Sequence, residues 1–108
     1  MTFSVNAWAQ RWEDATQDCL GDTLQWTNKV EVADVDGDGL VDILMANGGN
    51  YSSPGTPEQP RIWKNLGNWS AAAPHCQEIT TDVVGAFTGL SRVIKAADID
   101  GDGDLDIL

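Results

Sequence analysis

Between Asp34 and Asp42 the chain reads D-V-D-G-D-G-L-V-D, and between Asp98 and Asp106 it reads D-I-D-G-D-G-D-L-D. Carboxylates stand at positions 1, 3, 5 and 9 of each run: Asp34, Asp36, Asp38 and Asp42 in the first, Asp98, Asp100, Asp102 and Asp106 in the second. On a tightly curled loop this alternation turns the side chains toward one centre, and Gly37, Gly39, Gly101 and Gly103 supply the backbone freedom that such a curl needs. The carbonyl at position 7, from Leu40 or Asp104, can face the same centre. Four carboxylates so close repel one another and resist ionisation unless a cation sits between them. Oxygen ligands without histidine or thiolate select a hard cation, and six to eight of them on a flexible loop suit Ca²⁺ better than octahedral, hydrated Mg²⁺. The expectation is two Ca²⁺ per chain. A solvated Asp/Gly turn is the plainer reading of either loop alone, but the recurrence of the same spacing argues for a shared ligand. The EF-hand also opens D-x-D-x-D-G, yet it requires a glutamate at position 12 and flanking helices; position 12 here is Met45, between stretches that read as strands.

The loops belong to a longer repeat. ADVDGDGLVDIL (33–44) returns as ADIDGDGDLDIL (97–108), differing only at Val35/Ile99, Leu40/Asp104 and Val41/Leu105. Weaker matches place QWTNKVEVAD (25–34) against GLSRVIKAAD (89–98), FSVN (3–6) against IWKN (62–65), and RWEDAT (11–16) against CQEIT (76–80). The segments between the turn signals are short and rich in Val, Ile, Trp and Thr, and no window keeps apolar residues at helical spacing for three turns. The chain is therefore expected to be all-β. Each unit is read as four strands: A over 30–35, B over 41–46, C over 61–65 and D over 76–83, with a C-like strand at 2–6 and a D-like strand at 11–16 near the start. The longest loop is 47–60, with three prolines.

With 108 residues the chain has the size of one domain, and its net charge of −11 argues against nucleic acid or an anionic membrane as partner. Nine of its seventeen acidic side chains lie in the two loops, so the charge is local. The opening residues have neither a basic start nor a long apolar core, and no apolar run reaches the ~18 residues of a membrane span. Cys19 and Cys76 fit no zinc spacing; they are either a disulfide closing a long loop or two buried thiols.

The two loops, each followed by D-I-L, together with GAFTG (85–89) ahead of the second, resemble the FG-GAP/VCBS repeats of integrin-α-like β-propellers. The resemblance covers nearly the whole chain. It implies that each acidic loop joins strands A and B of a four-stranded antiparallel blade and binds Ca²⁺, with metal roles for the aspartates named above. It also implies an extracellular or cell-surface setting for the parent protein. On that plan the chain holds two blade equivalents: a C–D half blade over about 1–24, a full blade over about 25–84, and an A–B half blade over about 85–108. Propellers have about four to eight blades, so two loops do not close a ring. The expected remedy is head-to-tail association through shared blades, with three or four copies forming a homo-oligomeric propeller.

The function expected is that of a calcium-stiffened binding or scaffold module, and not an enzyme. The only histidine, His75, adjoins Cys76, and adjacency in sequence does not orient a Cys–His dyad. The alternative is a carbohydrate-binding propeller that stacks sugars on Trp8, Trp26, Trp63, Trp69 or Tyr51, these aromatics otherwise packing between blades; a protein ligand, or a propeller fragment of a secreted enzyme, is a further reading. Asn50-Tyr-Ser52 and Asn68-Trp-Ser70 match the glycosylation sequon.

Overall fold

The computed structural model describes residues 12–49, 53 and 55–108. Its main element is a four-stranded antiparallel sheet in sequential order, made of β1 (Thr27–Ala33), β2 (Asp42–Asn47), β3 (Arg61–Asn65) and β4 (Cys76–Glu78). A two-stranded antiparallel sheet, β5 (Ala96–Ala97) with β6 (Asp106–Ile107), repeats the β1–β2 arrangement in miniature. The expected all-β chain is thus mostly β, with two helical turns among the described residues: α1 (Thr16–Cys19) and α2 (Thr80–Val84).

Register follows from the alternation of side chains across the sheet. Leu44 pairs with Glu31 on one side and Ile62 on the other, and Ile43 pairs with Val32 and Trp63. Leu44, Ala46 and Ile62 are buried with Ile94, and Val35, Ile79, Val84, Ala96 and Ile107 pack around them. The second unit therefore covers one face of the four-stranded sheet, since Ile94, Ala96 and Ile107 belong to it. Val30 and Val32 point to the other face and remain about half exposed, at 48% and 58%.

Strand A runs three residues earlier than expected and ends at Ala33, and strand B runs from Asp42 to Asn47. Strand D is shorter than expected. It stops at Glu78 although β3 runs on to Arg61: Ile79 N–H still donates to the Ile62 carbonyl, but the Ile62 N–H is taken by the Thr80 side chain and not by a strand carbonyl. The buried Thr80 Oγ accepts from Ile62 N–H and donates to Glu78, and the chain turns into α2. Gly85, at φ 72°, ends that turn. The D-like strand expected at 11–16 is also not formed over its described part. Asp14 Oδ1 accepts from both the N–H and the hydroxyl of Thr16, a local bond that competes with strand pairing and leads into α1. The C-like strand at 2–6 lies outside the described residues.

Cys19 and Cys76 form a disulfide, closing a separation of 57 residues. Next to it His75 N–H donates to the Asp18 carbonyl, so α1 is tied to the start of β4 twice. Where three loops meet, Gly48 and Gly49 approach other backbone closely: a Cβ on Gly48 would lie 2.4 Å from the Gly89 carbonyl oxygen, and one on Gly49 2.2 Å from Gly55 Cα.

Candidate metal centre

The first acidic loop is the β1–β2 connection and the second is the β5–β6 connection, so strand pairing holds both ends of each. Within the first, Asp34 folds inward over its own backbone. Its Oδ1 accepts from Gly37 and Asp38 N–H at 2.8 and 3.1 Å, and its Oδ2 from Gly39 N–H at 2.8 Å. Asp36 Oδ1 accepts from Asp38 N–H and Asp38 Oδ1 from Leu40 N–H, while Asp42 Oδ2 reaches back to Val35 N–H at 3.0 Å. Gly37 and Gly39 take φ angles of 77° and 89°, which L side chains rarely adopt.

The second loop reproduces this arrangement bond for bond. Gly101, Asp102 and Gly103 donate to Asp98, Asp102 also to Asp100, Asp104 to Asp102, and Ile99 to Asp106. Gly101 and Gly103 have φ of 77° and 95°. Such agreement between two loops with different neighbours shows that the nine-residue pattern determines its own shape.

One oxygen from each of Asp34, Asp36 and Asp42 lies within 4.8 Å of the others, and Asp98, Asp100 and Asp106 form the same triad. At that separation each pair of carboxylates repels by about 3 kcal/mol at an effective dielectric near 20. Inward backbone N–H groups offset part of this. The structure therefore gathers positions 1, 3 and 9 of the expected ligand sets. Asp38 and Asp102, at position 5, lie outside the triads and accept from the N–H groups of Leu40 and Asp104, the residues whose carbonyls were expected to contribute. The donor set is all oxygen, carried on a loop with uncommitted carboxylate lone pairs, and this fits a hard divalent cation.

The two sites differ in their surroundings. Asp42 is fully buried, and its second oxygen accepts from Asn65 N–H of β3 at 2.8 Å. Asp106 is half-buried and receives only the Ile99 bond among the described residues. Lys64, also on β3, extends its ammonium to both Asp36 and Asp38, the latter at 2.7 Å. Sequence reasoning missed Lys64 and the Asn65 amide, because neither lies in the loop; only the β2–β3 register brings them there. The two loops open side by side onto a cleft of about 570 Å³ lined by Asp34–Gly37 and Gly103–Leu105.

Of the aromatics considered for stacking, Trp63 carries Arg61 over its ring at 6.0 Å and Trp69 stacks on His75 at 4.8 Å. Trp69 Nε1 donates to Asn65, and Trp26 stands half exposed. Trp8, Tyr51 and the sequon residue Asn50 lie outside the described residues.

Residues 34–108 match the FG-GAP-like repeat family, a span that contains both acidic loops and β2 to β6. The chain belongs to that family. No curated protein and no solved structure matches it.

Proposed function

We propose that the chain is a calcium-binding β-propeller repeat module, in which one Ca²⁺ in each acidic loop clamps the turn between two strands. The observation that carries this reading is the pair of carboxylate triads, Asp34/Asp36/Asp42 and Asp98/Asp100/Asp106, held by matching sets of backbone hydrogen bonds. The ion would neutralise three to four close carboxylates and tie the loop to the strands on both sides. Its role is structural: the oxygens come from one continuous segment, and the ionisable group outside the loop that reaches them among the described residues, Lys64, is engaged in ion pairs with Asp36 and Asp38. The Cys–His arrangement that a nucleophilic enzyme would use is closed off, because Cys76 is bonded to Cys19 and His75 is buried against Trp69. The disulfide also supports an exported, extracellular setting, and none of the described helices is long and apolar enough to cross a membrane.

The module acts as a scaffold that assembles head to tail, three or four copies closing a ring through shared blades. Two features favour this. The outer edge of β6 carries no strand among the described residues, although its counterpart β2 is covered by β3. The Val30/Val32 face stands exposed, as the flank of a blade awaiting its neighbour would. A carbohydrate-binding role ranks second, since Trp63 and Trp69 already have partners on their rings.

Thermal unfolding in Ca²⁺ and in EDTA, read together with molar mass from light scattering, tests the proposal. Calcium at about 100 times its dissociation constant stabilises by about 2.7 kcal/mol per site, which for a domain of this size raises the melting temperature by about 10 °C. An unchanged melt on chelation overturns the metal reading, and a monomer with a cooperative melt overturns the ring.

A further inference from the structure

Among the described residues, the first acidic loop has an internal cation and the second does not. Lys64 extends from β3, on the strand next to β2, and its ammonium bridges Asp36 and Asp38. Asp36 belongs to the carboxylate triad, so the ammonium neutralises a group that a bound metal would use. The Lys64 side chain is about three-quarters shielded from solvent, and this strengthens the pair relative to one in open water.

Nothing comparable serves the second loop. The other ion pairs of the described residues join Arg61 to Glu78 and Lys95 to Glu31, away from it. Sequence increases the asymmetry, because Asp104 stands where the first loop has Leu40. The first loop with Lys64 thus carries four negative charges and one positive, the second five negative charges. The repeat carries the same difference in sequence: where the first unit has Ile62-Trp63-Lys64-Asn65, the matching segment near the start of the chain reads Phe3-Ser4-Val5-Asn6, with valine in place of the lysine.

We propose that Lys64 is a tethered competitor for the cation at the first loop, so that the two loops of one chain fill at different calcium concentrations, the second before the first. The proposal rests on the calcium reading above. A divalent ion entering the first loop must displace the ammonium from Asp36, whereas one entering the second meets no such ammonium among the described residues. Lys64 does for the calcium-free form of the first loop what the ion would do when bound: it screens the repulsion and holds Asp36 and Asp38 in place. The stiffness of the first β-turn is then nearly independent of calcium, and that of the second depends on it.

The test is isothermal titration of the full chain with CaCl₂, comparing parent, Lys64→Met and Lys64→Arg, each in two backgrounds. Asp98→Asn with Asp106→Asn silences the second loop, and Asp34→Asn with Asp36→Asn silences the first. With the second loop silenced, Lys64→Met is expected to tighten calcium binding about tenfold and Lys64→Arg to leave it near the parent value. With the first loop silenced, neither substitution changes binding, and the parent affinity there exceeds that of the first loop. Unchanged or weakened binding in Lys64→Met overturns the proposal and makes Lys64 a brace for the loop. Calcium binding by the second loop alone, in every variant, also overturns it and confines the calcium reading to that loop. No binding in any variant, with melting curves showing each to be folded, overturns both.

Discussion

At the scale of single residues, Asp42 and Asp106 occupy equivalent positions with different obligations. Asp42 is fully buried and receives N–H groups from Val35 and Asn65. Asp42→Ala strands both donors in the interior, each worth about 1–3 kcal/mol when left unsatisfied, so a loss of about 2–4 kcal/mol is expected in denaturant unfolding. Asp106→Ala, which frees one donor at a half-exposed site, is expected to cost well under half of that; equal losses would show that the β3 contact contributes nothing. Asp14 offers a pH-dependent counterpart. The hydroxyl and N–H of Thr16 hold its carboxyl below the usual 3.8. A depressed folded value means that the contribution is present above the unfolded pKa and disappears as pH falls through the folded one. The Thr16 amide resonance should therefore titrate below about pH 4, in wild type and not in Asp14→Asn.

At the scale of elements, the acidic loops were readable from sequence and the strand ends were not. The nine-residue pattern closes its hydrogen bonds within itself, so its shape needs nothing distant, and both copies adopt it. Strand D, expected over 76–83, stops at Glu78 while its partner runs on to Arg61, because the Thr80 hydroxyl takes the Ile62 N–H that would have continued the ladder. The crossing at Gly48 is equally nonlocal: its φ is 139° and the Gly89 carbonyl fills the space where a Cβ would go. Gly48→Ala is expected to lower the unfolding free energy by several kcal/mol, through both backbone strain and displacement of the Gly89 loop, whereas Gly21→Ala meets no neighbouring atom and carries only the strain of its φ of 69°. Comparable melts for the two variants would refute the close approach. Reducing the Cys19–Cys76 disulfide, which closes 57 residues, should cost about 4 kcal/mol in the chain-entropy model; a reduced chain melting as the oxidised one does would show that α1 and β4 stay together by packing alone.

At the scale of the whole molecule, the exposed faces decide which assembly is consistent with the fold. The core of Leu44, Ala46, Ile62 and Ile94 is covered by the second unit, while Val30 and Val32 on the opposite face are not. In the proposed ring that face packs against a neighbouring blade. Val32→Asp is then expected to reduce the assembly to monomers while leaving the acidic loops able to bind calcium, an outcome that light scattering and calcium titration read separately. An unchanged mass would place the interface elsewhere.

The sequence by itself determined the repeat and the two loops, and of the expected ligand sets the aspartates at positions 1, 3 and 9 come together, because a short Asp/Gly pattern with φ-permissive glycines satisfies its own hydrogen bonds and needs no distant partner. It also established the β character of the chain through alternation and turn residues. Only the tertiary structure decided that Asp42 is sealed by Asn65 while Asp106 is not, that Lys64 stands over the first loop, that Cys19 and Cys76 are joined, and that strand D gives way to a helical turn. Each of these depends on which strand lies next to which, and strand pairing is a relation between segments that local sequence does not encode.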